Sequence, residues 1–274
     1  MNTTRRTFLK KSGGAAALVA SPAILLAHPP APAKASRRVL RFAVASDGHF
    51  GQPDTEYARF FAAVTDSLNA ERDRSGLDAA FFNGDLIHDR GEFMPQAKAA
   101  FDKLTMPYYV TRGNHDMVSP QEWERIWGYS ENHVVELGDT AFLLGSTATP
   151  EGKYVCADLR WLKKSLDSQK RKKHVFVLLH ISQRKWTTHG IDCPEVMSTI
   201  ESYANVRAIF HGHDHDEDNV KMSGGKPYLY DGHFGGNWGA NYRGYRIVEV
   251  FEDGRISTYQ VNLELNPVVN VRVL

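Results

Sequence analysis

The sequence predicts an α/β fold, with strand–loop–helix units leading into a strand-rich C-terminal third. Three observations predict it. Short apolar runs alternate with stretches carrying apolar residues at helical spacing from Arg37 to about Tyr203. Each of the main runs stops at a cluster of polar residues, the place where an open α/β sheet carries its active site. Beyond Asn219 the helical pattern ends, and Gly-rich turns separate the remaining β-type runs.

In chain order, Val39–Ala45 reads as the first strand and stops at Ser46-Asp47-Gly48-His49. A helix from Glu56 to about Arg74 follows, with Phe60, Phe61, Val64 and Leu68 on one face and Gly76 as its stop. Asp78–Phe82 is a strand ending at Asn83-Gly84-Asp85-Leu86-Ile87-His88-Asp89. A helix over about 92–104 leads to the strand Tyr108–Thr111, which ends at Arg112-Gly113-Asn114-His115-Asp116. A short helix near Gln121–Trp127 precedes two strands, His133–Leu137 and Thr140–Ser146, joined by the turn Gly138-Asp139. Cys156 to about Gln169 is helical in pattern, with Leu159, Leu162 and Leu166 on one face. The strand His174–Leu179 ends at His180, and a helix near Glu195–Tyr203 leads to the strand Val206–Phe210. The strands expected after it are Val220–Met222, Lys226–Tyr230, Tyr242–Phe251 and Ile256–Leu263, in an antiparallel arrangement. No internal repeat or second-domain linker stands out, so residues 36–274 read as a single domain.

Metal-competent residues gather at five of these strand ends: Asp47 and His49; Asp85; Asn114 and His115; His180; His213 and His215. The run Phe210–Asp216 alone holds three of the twelve histidines. By itself it reads equally well as a polar loop or a His-rich tract. Its partners at four earlier strand ends change that, because neutral imidazole is the commonest protein metal ligand. Mixed imidazole and carboxylate donors suit Fe, Mn or Zn rather than Ca.

With Asp47-Gly48-His49, Gly84-Asp85, Gly113-Asn114-His115-Asp116, the isolated His180 and Gly212-His213-Asp214-His215 in this order, the chain resembles the calcineurin-like metallophosphoesterases. The resemblance implies a four-layer α-β-β-α sandwich of two mixed sheets flanked by helices. It also implies a two-metal site in which Asp47, His49 and His215 hold one ion, Asn114, His180 and His213 hold the other, and Asp85 bridges them. Asp214 would face away. A metal-bridging hydroxide would attack a phosphate ester. His115 would not be a ligand but would face substrate, as proton donor or charge stabiliser, with Asp116 orienting it. Where the purple acid phosphatase branch has an iron-binding Tyr, three residues after the bridging Asp, this chain has His88, so a tyrosinate-bound ferric site is not expected. The Gly84–Gly91 run is more similar to a bacterial phosphodiesterase-like branch, which implies a small phosphodiester substrate. A phosphomonoester is the alternative, and a non-catalytic scaffold is a weaker one that the presence of His115 argues against. Arg112, Arg184 and His233 are candidate substrate contacts, His233 within the Gly-rich aromatic segment Asp231–Trp238. Gly113 and Gly212 are read as turn-forming residues that aim the ligands after them.

Residues 1–35 are read apart from the fold. Arg5-Arg6, Phe8-Leu9-Lys10 and a weakly apolar run ending before Ala31-Pro32-Ala33 or Ala33-Lys34-Ala35 resemble a twin-arginine signal peptide and its cleavage region. That implies the twin-arginine export machinery as a partner, a periplasmic or secreted enzyme, and no stable membrane span in the mature form. Removing the five Lys and Arg residues of this segment moves the formal charge from +1 to about −4. Such a balance excludes an ordinary nucleic-acid binder. Cys156 and Cys193 are open to two readings, a disulfide in an oxidising compartment or two small buried hydrophobes.

Overall fold

Period-two alternation decides which side chains face which layer. In β1 (Arg38–Ala45), Leu40, Phe42 and Val44 face one way and Ala43 and Ala45 the other. β2 (Ala79–Asn83) sorts the same way, with Ala79 and Phe81 against Ala80 and Phe82. The computed structural model describes residues 36–264 and 268–274, so the expected signal peptide lies outside the described residues.

Parallel strands β1, β2 and β3 (Tyr108–Thr111) form one half of a six-stranded sheet. The other half is antiparallel: β10 (Gly244–Phe251) pairs with β1, and β11 (Ile256–Asn262) and β12 (Val268–Val273) follow outward. The second sheet has the order β4 (His133–Leu137), β5 (Thr140–Gly145), β6 (His174–Leu179), β7 (Val206–His211), β9 (Lys226–Tyr230), β8 (Val220–Ser223). Its inner four strands are parallel.

Phe42 marks the centre of the core between the sheets. Its ring meets those of Phe142 at 4.9 Å, Phe176 at 5.1 Å and Phe81 at 5.7 Å. Helices α1 (Tyr57–Ser75), α2 (Met94–Phe101) and α3 (Pro120–Trp127) cover the outer face of the first sheet. Helices α4 (Leu159–Ser168) and α5 (Pro194–Ser202) cover the second. The architecture is the expected four-layer sandwich of two mixed sheets between helices.

Three local differences have physical causes. The helix expected over 92–104 splits into a 3₁₀ turn at Gly91–Phe93 and α2, which starts beside Pro95, a residue suited to a first turn. The helix expected from Cys156 starts at Leu159, because Asp158 caps it by accepting from the backbone N–H of Arg160 and Trp161. The C-terminal third is not one antiparallel unit. β8 carries the chain outward so that β9 returns parallel to β7, whereas β10–β12 extend the other sheet, and β12 lies beyond the last strand expected. Among the described residues no helix is long and apolar enough to cross a membrane.

Cys156 and Cys193 form a disulfide that joins the segment after β5 to the start of α5. It closes a loop with a sequence separation of 37, a length for which the chain-entropy contribution is about 4 kcal/mol. Replacing both cysteines with serine is expected to lower unfolding free energy by that order in denaturant titrations. Equal stability of the two proteins would show that the bridge contributes no net constraint.

Candidate metal centre

Each expected ligand stands just beyond a strand, on a loop locked to its neighbour. The N–H of Asp47 donates to Gly84 O, and those of Gly48 and His49 both donate to Asp85 O. Gly212 N donates to His180 O at 3.1 Å across the second sheet. Four ligand residues hold left-handed backbone: Asp47 (φ 60), His49 (φ 50), Asp85 (φ 53) and His213 (φ 68). Non-glycine residues are uncommon there, and clusters of them mark functional sites.

Gly113 and Gly212 serve close approach rather than turn geometry, which corrects their reading as turn formers. Neither has positive φ. A Cβ on Gly113 would lie 2.1 Å from Asp85 Oδ1, and one on Gly212 would lie 1.8 Å from Ser46 Oγ and 2.5 Å from Asp47 Oδ2.

Two sets of bare donor atoms converge. In the first, His49 Nε2 and His215 Nε2 face each other at 3.0 Å, and Asp47 Oδ1 is 3.1 Å from His215 Nε2. In the second are Asp85, His180 and His213; Asp85 Oδ2 is 3.2 Å from His180 Nε2. Asp85 Oδ2 also lies 3.8 Å from His49 Nε2, between the two sets. Asn114 Oδ1, His180 Nε2 and His213 Nε2 are buried with no hydrogen-bond partner. Buried polar atoms are normally satisfied. Ring nitrogens, an amide oxygen and carboxylates aimed at shared points are what a pair of cations would satisfy, so these residues fit a two-metal site.

Three of the remaining ring nitrogens are tied back. His180 Nδ1 donates to Asn83 O at 2.6 Å, and His215 Nδ1 to Trp238 O at 3.2 Å. His49 Nδ1 meets His88 Nδ1 at 3.1 Å. Such partners fix the tautomer and leave Nε2 free. The His215 ring is stacked on Trp238 (4.3 Å, 10°) and on His233 (5.0 Å, 14°).

The electrostatics are severe. Burial raises the Asp47 carboxyl, but His215 and His180 outweigh it and hold Asp47 well below the ordinary value. Burial raises Asp85 too, and His180 again prevails, so Asp85 is also lowered. His180 is opposed by burial yet pushed up to about 10 by Asp85 and Asp47. Burial, with His180 nearby, brings His213 down to about 4, which leaves it neutral at pH 7, the metal-binding form.

The calcineurin-like phosphoesterase family model matches residues 40–217, which carry every one of these donors. The chain belongs to the calcineurin-like phosphoesterase family. It is accordingly a metal-dependent phosphoric ester hydrolase. No curated protein matched the sequence. Among solved structures, a dimetal phosphatase from Danio rerio is similar, with 14% identity and a TM-score of 0.65, over 86% of this chain and 99% of that one. A purple acid phosphatase from yellow lupin seeds has 14% identity and a TM-score of 0.63 over 85% of this chain and 53% of its own, so this chain spans about half its length. A calcineurin-like phosphoesterase from Bacillus subtilis has 12% identity and a TM-score of 0.52 over 87% and 90%. At these identities the likeness concerns the fold.

In this phosphoesterase His115 lines the cleft in front of the donors. Its backbone N–H donates to Asp85 Oδ1 at 2.8 Å. The carboxylate that holds its ring is Asp89, which accepts from Nδ1 at 2.6 Å, and not Asp116. Asp116 is turned into the backbone, accepting from Ile87 N at 3.0 Å and Gly113 N at 2.8 Å, so it shapes the loop. Asp89 lies four residues after Asp85, a spacing visible in the sequence. His88 stacks on His115 (4.8 Å, 10°). Rings of His49, His88 and His115 also bring nitrogens within 4.8 Å of one another.

Three expected substrate contacts are corrected. Arg112 is fully buried; its guanidinium donates to Glu131, Asp116 O and Val118 O and lies over Trp123. His233 is buried, and its two ring nitrogens face Gly235 O and Ala240 O, so it backs His215 instead of facing substrate. Arg184 is bonded to Ser223 and does not line the cleft. Asp214 accepts from Thr187 Oγ1 at 3.0 Å and forms part of the cleft wall.

Gly113→Ala forces a Cβ into Asp85. The variant is expected to fold but to bind metal about 10–100-fold more weakly, the usual effect of disturbing a ligand's support. Metal titration read by calorimetry checks this, and unchanged affinity would show that the loop yields without moving Asp85.

Proposed function

We propose that this chain is an exported binuclear phosphodiesterase acting on a small phosphodiester. The observation that carries the two-metal part is the pair of converging donor sets with their orphaned buried atoms. Ions held there would lower the pKa of a water to near neutrality and offset charge on the phosphate oxygens. Fe, Mn and Zn fit the donor chemistry. Asp47, His49 and His215 would hold one ion and Asn114, His180 and His213 the other, with Asp85 shared.

The chain's own residues supply the rest. His115 holds a proton on the cleft side of its ring while Asp89 fixes the opposite nitrogen. It is placed to protonate the departing alkoxide. Burial opposes that proton, but Asp85, Asp89 and Asp116 outweigh burial and raise the His115 pKa.

A diester is favoured because no lysine or arginine among the described residues lines the cleft. A singly charged phosphate suits such a wall better than a dianionic monoester. The phosphatase names of two structural neighbours support the monoester alternative. Export through the twin-arginine machinery to the periplasm rests on Arg5-Arg6 and the residues after them. The Cys156–Cys193 bridge suits an oxidising compartment.

Removal of metal by chelation is expected to abolish hydrolysis of bis(4-nitrophenyl) phosphate, with recovery on adding Fe, Mn or Zn. Faster turnover of 4-nitrophenyl phosphate would favour the monoester alternative, and full activity of the stripped protein would sink the two-metal reading. His115→Ala is expected to retain both ions while kcat falls by about 10²–10⁴; loss of an ion would make His115 a ligand. As a proton donor, His115 fails when pH rises through its pKa. Asp89→Asn removes one raising influence, so the alkaline limb of kcat/KM is expected to move to lower pH. A limb that stays in place would detach Asp89 from the proton donor.

A further inference from the structure

The mouth of the cleft has a composition that the phosphate alone does not explain. The cleft holds about 450 Å³. Two large aromatics stand exposed on its walls, Trp238 at 43% and Tyr154 at 42%. Trp238 stacks on His215 of the first donor set, and Tyr154 meets His213 of the second edge-on at 4.8 Å. Both are held by backbone. Trp238 O accepts from His215 Nδ1, and Ala240 N donates to His215 O at 2.9 Å. Tyr154 lies in a hairpin where Val155 N donates to Thr147 O and Thr149 N to Lys153 O, both at 2.9 Å.

Besides Asp85, the acidic residues lining this cleft are Asp214 and Asp216, and His115 and His189 line it as well. Asp214 is buried and committed to Thr187. Asp216 is exposed and has no ion-pair partner among the described residues, whereas its neighbour Glu217 is paired with Lys221. An unpaired carboxylate beside an anion-binding centre opposes the substrate's phosphate. It becomes favourable where the substrate also carries a cation. Exposed aromatic faces attract ammonium groups through the ring quadrupole, most strongly when the cation is weakly hydrated.

We propose that the cleft selects zwitterionic phosphodiesters in which one esterified alcohol carries an alkylammonium group. The phosphate would lie at the two donor sets and the ammonium at Trp238, Tyr154 and Asp216. This rests on the phosphodiesterase reading above and adds the substrate class to it. A neutral aromatic alcohol stacking on Trp238 would use the ring without the carboxylate, and the test separates the two.

The metal-loaded full chain is assayed with 4-nitrophenyl phosphorylcholine and with its neutral isostere, 4-nitrophenyl 3,3-dimethylbutyl phosphate. These share leaving group, size and bond broken. The choline ester is expected to have about tenfold higher kcat/KM. That ratio should fall toward unity in Asp216→Asn and in Trp238→Ala, whatever either substitution does to absolute rates. Choline is also expected to bind the metal-free protein more tightly than 3,3-dimethylbutanol by calorimetry, and this preference should weaken in Asp216→Asn. Equal rates for the two esters, or a ratio untouched by both substitutions, would overturn the proposal and leave the diesterase reading standing. A ratio lost in Trp238→Ala but intact in Asp216→Asn would also overturn it, in favour of neutral stacking. Hydrolysis of neither diester, with 4-nitrophenyl phosphate cleaved, would bring down the diesterase reading and this one with it.

Discussion

Everything at this site is referred to the Asp85 carboxylate. One oxygen accepts from His115 N, which ties the third strand-end loop to the second. The other faces His180 from the second sheet and His49 from the first loop. Its backbone oxygen accepts from both Gly48 and His49. One residue therefore locks three loops of one sheet together and presents charge to a fourth loop from the other. Such a concentration of carboxylate and imidazole in a dry interior is unfavourable without cations. Left-handed backbone at Asp47, His49, Asp85 and His213 adds strain of about 1–3 kcal/mol each. Donors held this way bind ions without reorganising, which is the advantage gained for strain built in during folding.

Each candidate donor set draws on both sheets. Asp47, His49, Asp85 and Asn114 follow β1, β2 and β3 of one sheet, while His180, His213 and His215 follow β6 and β7 of the other. The sheets meet through Phe42, Phe81, Phe142 and Phe176, so their carboxyl ends abut at one edge of a shared core. A shift of one sheet against the other would have to break this aromatic contact. The placement of the candidate donors is thereby coupled to the most buried part of the molecule and not to the loops alone.

Much of this was legible in the sequence, because strand ends are marked by apolar runs and the donors stand directly behind them. The β9–β7 parallel pairing was not legible, since short strands with Gly turns look alike whichever sheet they join. The partners of Arg112 and His233 are not legible for a related reason. A sequence shows that a side chain is near a site, but not which of its neighbours it will satisfy first. Arg112 is drawn back into backbone carbonyls and Trp123, and His233 into the carbonyls of its own loop. Asp116 lost His115 to Asp89 because its oxygens were taken by two backbone N–H groups. Tyr154 and Asp216 carried no signal, because their meaning depends on a wall formed by segments distant in the chain.

That wall changes how substrate recognition should be framed. A phosphate-binding arginine is needed only where protein cations must meet the anion. Here any such cations would be the ions themselves, and no Lys or Arg lines the cleft among the described residues. With attraction for phosphate concentrated at the donors, the wall is free to discriminate by the other half of the substrate. A wall carrying Asp216, Trp238 and Tyr154 would then work in two directions. It would repel multiply charged phosphates, for which the approach past Asp216 is unfavourable, and would favour esters whose own positive group offsets that field. Selectivity in this arrangement comes from a repulsive element as much as an attractive one.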